Sequence, residues 1–109
     1  MIIHLADVPD VASERPPLVM KRAVNRDVHT PRVSVTWVRI HGHHGKMVCN
    51  VSDRVYYIIN GHGRFDVDGE QPGDVGPGDL VLIPSGVPYV FDGEMDYLVM
   101  NGPAFGVSA

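Results

Sequence analysis

The sequence predicts an all-β fold, a sandwich or barrel of short antiparallel strands. Three observations predict it. Twelve Gly and nine Pro in 109 residues punctuate the chain too often for a helical bundle. Runs rich in Val, Ile, Tyr and Thr alternate with period 2. These runs recur about every 8–12 residues with turn signals between them. With 44% apolar residues the chain can bury a core, and its length fits one domain.

Residues 1–32 read as an irregular N-terminal arm. Pro9, Pro16, Pro17 and Pro31 interrupt it, and short edge strands are expected at 1–5 and 18–24. Such an arm packs on the barrel or on a partner subunit. Residues 33–109 read as the barrel with a short C-terminal tail. Segment 32–40 alternates, with Val33, Val35 and Trp37 on one side. His41-Gly42-His43-His44-Gly45 reads as a turn and 46–51 as a further strand. Segment 54–60 is a strong strand, ended by Gly61-His62-Gly63. Segment 64–68 alternates again, and Asp68-Gly69 is a hairpin dipeptide. After a turn-rich connection, 79–83 is a buried strand stopped by Pro84-Ser85-Gly86. Segments 89–91 and 97–100 complete a meander, and 103–109 is a loose tail that Phe105 is suited to anchor.

The formal charge is −4 and unevenly spread. All nine Lys and Arg lie between Arg15 and Arg64, while residues 65–109 hold eight acids and no base. An acidic domain repels phosphate, so a nucleic-acid face is excluded. Antiparallel strands that mix the two halves would leave an ordinary solvated surface. No apolar run approaches the roughly 18 residues of a membrane span, and residues 1–7 lack the features of a signal peptide. Cys49 is the one cysteine, so no intrachain disulfide forms, which fits the cytoplasm.

Two motifs carry a family resemblance. Gly78-Asp79, four apolar residues, then Pro84-Ser85-Gly86-Val87-Pro88-Tyr89 matches the backbone-determining positions of the second cupin motif. Asp53-Arg54-Val55-Tyr56-Tyr57-Ile58-Ile59-Asn60-Gly61 is similar to the end of the first. Over about 33–101 the chain thus resembles the cupin family, which implies a double-stranded β-helix (jelly-roll) barrel. In metal-binding members two His, a Glu and a later His converge on one transition metal. Here the Glu position is Arg54 and the last His is Tyr89. The His pair is Val48/Asn50 or, in the other register, Met47/Cys49. Arginine stays protonated and ligates no metal, so neither metal nor other cofactor is expected.

Strand alternation places Tyr56 and Ile58 inward with Arg54. The expected ligand site is Arg54, Tyr56, Tyr89, Asn50 and Trp37. Arginine suits a carboxylate or phosphate, and tyrosine suits hydroxyls or a carbonyl. The function implied is binding of a small polar or anionic metabolite without a metal. If catalytic, it is isomerase, epimerase or cyclase chemistry, with Tyr89 or Tyr56 as acid/base and Arg54 as oxyanion stabiliser. One alternative is a non-catalytic small-molecule binding module. A second is a metalloprotein using His41, His43 and His44. His4 and His29 read as surface residues and Cys49 as packing. An outer face bearing Val55, Tyr57 and Ile59 implies a homodimer.

Overall fold

The computed structural model describes residues 1–106. One 3-10 turn (Leu5–Asp7) precedes seven strands: β1 (Val11–Glu14), β2 (Pro17–Val24), β3 (Ser34–His43), β4 (Asp53–Val67), β5 (Gly73–Val75), β6 (Leu80–Ile83) and β7 (Tyr89–Gly102). Every pairing is antiparallel, in the order β1-β2-β3-β7-β4-β5, with β6 against β4. The expected all-β barrel is therefore present.

The pairing register sorts the two faces. Inward rows run across the strands as Ser34, Asn101, Arg54, Ile83, then as Arg22, Thr36, Val99, Tyr56, Val81. The next row is Met20, Val38, Tyr97, Ile58. One end of the barrel is filled by aromatic rings: Phe65 stacks on Phe91 at 4.5 Å, and Tyr56 meets both edge-on at 5.2 and 5.3 Å. Each such pair adds about 0.5–1.5 kcal/mol beyond the burial of its area. The other end is open.

The first half of the chain pairs with the acidic second half across the strands. Arg39 holds Asp96 through two hydrogen bonds of 2.8 and 2.9 Å, and Arg64 meets Asp74 at 2.8 Å. His41 meets Glu94 at 2.7 Å and His43 meets Asp92 at 2.5 Å. The charge asymmetry of the sequence is thereby mixed on the surface.

Several sequence expectations change. The N-terminal arm is a β1–β2 hairpin whose second strand extends the sheet beside β3. It supplies barrel wall, and the boundary at 32/33 divides a continuous sheet. Residues 1–5 form no strand, and 46–51 contribute only the bridge Met47–Tyr89. The 54–60 and 64–68 segments are one strand, as are 89–91 and 97–100. Gly61 and Gly63 do not stop β4, because they allow close approach to β7. A Cβ on Gly61, whose φ is +84°, would lie 2.1 Å from the Glu94 carbonyl oxygen, and one on Gly63 would lie 2.7 Å from that of Asp92. The tail does anchor at Phe105, whose amide donates to Ser34 Oγ at 2.9 Å. Positions 107–109 of the tail lie outside the described residues.

Candidate functional site

The open end of the barrel holds a cavity of about 140 Å³, whose lining includes Arg22, His44, Met47, Arg54, Tyr56 and Phe105. Arg54 is its centre. Alternation along β4 turns Arg54, Tyr56 and Ile58 inward, and Arg54 is only 5% exposed. Its Nε donates to Asn101 Oδ1 at 2.6 Å and its Nη1 to Tyr89 Oη at 2.7 Å. Nη1 also lies 2.7 Å from Met47 Sδ. The Tyr56 and Tyr89 hydroxyls share a hydrogen bond of 2.6 Å. Asn101 in turn donates to Ser34 Oγ at 3.3 Å.

Among the described residues no carboxylate pairs with Arg54, and none lines the cavity. The Phe105 ring covers part of the guanidinium instead, 5.3 Å from its carbon. A buried charge without a counter-charge is costly, by several kcal/mol. Burial works against the Arg54 charge, but the Tyr89 and Tyr56 phenols support it, and its pKa stays above the ordinary arginine value. The cavity wall is therefore permanently cationic.

Burial pushes the Tyr56 phenol well above its ordinary range, with Tyr89 adding to the shift. Burial does the same to Tyr97. Tyr56 is thus a hydrogen-bond donor at neutral pH and cannot act there as a general base. His44 shifts the other way. Burial favours its neutral form, the Gly45 carbonyl opposes this, and the Arg54 charge adds to the lowering. Its ring stacks on Phe91 with centroids 4.4 Å apart. With Nδ1 donating to the Gly45 carbonyl oxygen at 3.4 Å, Nε2 is the acceptor.

Of the five expected ligand residues, the structure brings Arg54, Tyr56 and Tyr89 together. Tyr89 lies behind the other two, in hydrogen bond with both. It places Trp37 and Asn50 elsewhere. Trp37 stands on the outer face, with the Arg39 guanidinium 5.4 Å above its ring. Here both sheet faces are apolar, so alternation alone does not say which side is inside. Asn50 is exposed; the four-residue-gap register holds, and Met47 takes the inward position. His41, His43 and His44 do not converge, because the first two point outward to separate carboxylates while His44 lines the cavity.

Sequence reasoning gave His44 only to the metal alternative and Met47 only to the second motif register, and it missed Asn101 and Phe105 as site residues. Extending the inward set Ser34, Thr36, Val38, Ile40 by twos reaches His44, so that one was within reach. Asn101 depends on β4–β7 pairing, which no local signal announces. The side chains around Arg54 do not make a donor set for a divalent cation: the guanidinium, which stays protonated, lies in hydrogen-bonding reach of both Met47 Sδ and Tyr89 Oη.

No protein-family model matches the chain, and no curated protein matches it in sequence. Solved structures do match, and they show that the chain has the cupin fold. The nucleoside dehydratase Pac13 of Streptomyces superposes with a TM-score of 0.81 at 19% identity, over 97% of this chain and 84% of that one. KdgF from Halomonas sp. gives 0.82 at 14% identity, over 96% of each chain. The polyketide cyclase RemF from Streptomyces resistomycificus gives 0.75 at 19% identity, over 94% of this chain and 78% of that one.

Proposed function

We propose that the barrel binds a small anionic metabolite at Arg54 and acts on it without a metal, in the isomerase, epimerase or cyclase class of chemistry. The observation that carries this reading is the Arg54 guanidinium, nearly fully buried and without a carboxylate partner among the described residues. An anion supplies the missing counter-charge. The cavity is smaller than the roughly 300–1,000 Å³ of drug-sized sites, so the ligand is small.

The roles follow from protonation. Neutral His44 accepts a proton through Nε2, protonated Tyr56 donates a hydrogen bond, and Arg54 stabilises negative charge developing on a ligand oxygen. The cavity thus pairs a phenol held protonated, as a hydrogen-bond donor, with an imidazole held neutral, as an acceptor. Pac13 supports this reading by analogy: two of its tyrosine-to-phenylalanine variants and one histidine-to-glutamine variant were solved with uridine. The present cavity likewise joins tyrosines and a histidine. A second reading, a binding module without catalysis, is favoured by the Tyr56 and Tyr89 hydroxyls, which satisfy each other.

The same proposal includes a homodimer in the cytoplasm. Val35, Met100, Val55 and Leu82 form one outer row, and Trp37, Leu98, Tyr57 and Leu80 form the next. Leu80 and Leu82 are 66% and 59% exposed, so a second copy has a continuous apolar face to cover. The single cysteine fits a reducing compartment, and no helix is long and apolar enough to cross a membrane.

Thermal-shift screening against keto acids, hydroxy acids and sugar phosphates tests the binding claim. A compound at about 100 times its Kd adds about 2.7 kcal/mol. The expected result is a stabilising anion whose effect Arg54→Met abolishes. If no anion stabilises the protein, the barrel is a filled scaffold and the proposal fails.

A further inference from the structure

Three of the nine cations are neutralised by acids: Lys21 by Asp10, Arg39 by Asp96 and Arg64 by Asp74. Among the described residues the other six have no carboxylate partner, and of these Arg15, Arg26, Arg32 and Lys46 do not line the cavity. The two arginines that line the cavity, Arg22 and Arg54, have no carboxylate partner among the described residues. Arg22 lies next to Lys21 in β2, so the strand turns one cation outward to an acid and the next inward to none. Register fixes its place: Arg22 stands opposite Thr36, in the row that continues through Val99 to Tyr56. It is exposed, at the mouth, while Arg54 is buried at the floor.

A protein of net charge −4 therefore has a cavity whose lining holds two unneutralised positive charges, an exposed one on β2 and a buried one on β4, and no acid. Neutral His44 adds no third charge. One monoanion at Arg54 would leave Arg22 unmatched. Phe105 stacks on part of Arg54 and restricts what reaches the floor to a slim group. The lining also includes Val99, in the row that joins Arg22 to Tyr56, and Met20 and Val38 in the next row, and these suit a short hydrocarbon stem.

We infer that the cavity is built for a small organic dianion with its negative groups at opposite ends, one on Arg54 and the other on Arg22. This rests on the anion reading of Arg54 and adds the second charge and the spacing. A charge-assisted contact at the partly exposed Arg22 corresponds to about a tenfold gain in affinity.

Titration calorimetry of the full chain at low salt tests it, using dicarboxylates of three to six carbons, the monocarboxylates of matching length, and glycerol phosphate. The best dicarboxylate is expected to bind about tenfold tighter than its matched monocarboxylate. Arg22→Gln, a change at an exposed position, should remove that advantage, lowering dicarboxylate affinity about tenfold more than monocarboxylate affinity. Arg54→Met should remove binding of both. If matched mono- and dicarboxylates bind wild type equally, or Arg22→Gln leaves their ratio intact, the two-ended dianion is wrong while the anion site at Arg54 stands. Glycerol phosphate binding tighter than every dicarboxylate also overturns it, in favour of both charges at one end. If no probe binds at millimolar concentration, this inference and the anion reading fall together.

Discussion

An arginine retained for a ligand should be nearly dispensable to the fold, and Arg54→Met measures this. Methionine keeps the length of the side chain and removes the charge. The loss side is definite: Asn101 Oδ1 loses its donor, which costs about 1–3 kcal/mol for an unsatisfied buried acceptor. Tyr89 Oη keeps Tyr56 as a partner and loses less. The gain side is removal of a buried, uncompensated charge, whose burial costs several kcal/mol. The two effects nearly cancel, so the ligand-free variant should lie within about 2 kcal/mol of wild type. Breaking a matched buried ion pair would instead cost about 3–5 kcal/mol. At about 4 °C per kcal/mol for a domain of this size, the variant should melt within about 8 °C of wild type. With a stabilising anion at about 100 times its Kd, wild type should rise by about 11 °C and the variant not at all. Differential scanning calorimetry with and without the anion reads both values. A fall of 12 °C or more in the ligand-free variant would show a structural arginine and refute the reasoning.

Three further outcomes follow from the same geometry. His44 has a folded pKa below its unfolded value of about 6.5, so its contribution is fully present above that pH and is lost as pH falls through the folded pKa. Melting temperature should therefore decline between pH 7 and 5, and His44→Gln should flatten that decline; an unchanged slope contradicts the assignment. Replacing both Tyr57 and Leu80 with lysine should convert a sedimenting species of about twice 11.9 kDa into a monomer with its fold intact by circular dichroism. If wild type already sediments as a monomer, the apolar outer face is not a self-association surface. Phe105→Ala should lower stability by about 1 kcal/mol, since its contact with Arg54 is half-exposed. It should also admit longer anions in the calorimetric series, and an unchanged length preference would remove Phe105 as a boundary of the site.

The fold was largely legible because the backbone signals are local. Gly78-Asp79 and Pro84-x-Gly86 fix their turns wherever they occur, and 54–60 is β-branched and aromatic enough to specify a strand. Legibility failed where glycine has two uses. Gly61 and Gly63 resemble a turn in sequence, yet in three dimensions they let two long strands approach. The site was legible at Arg54, Tyr56 and Tyr89, which inherit their direction from motif positions. It was not legible at Trp37, because Val35, Trp37, Leu98 and Met100 make the outer face as apolar as the inner one. Nor was it legible at Asn101 and Phe105, which reach Arg54 only through long-range pairing and the path of the tail.

A crystal structure of the protein soaked in its best-binding anion tests the central claim most directly. The predicted result is density for a carboxylate or phosphate group within hydrogen-bonding distance of the Arg54 guanidinium, beside Tyr56 and His44. Density for the anion elsewhere on the surface, with Arg54 paired to a protein carboxylate, would contradict the account.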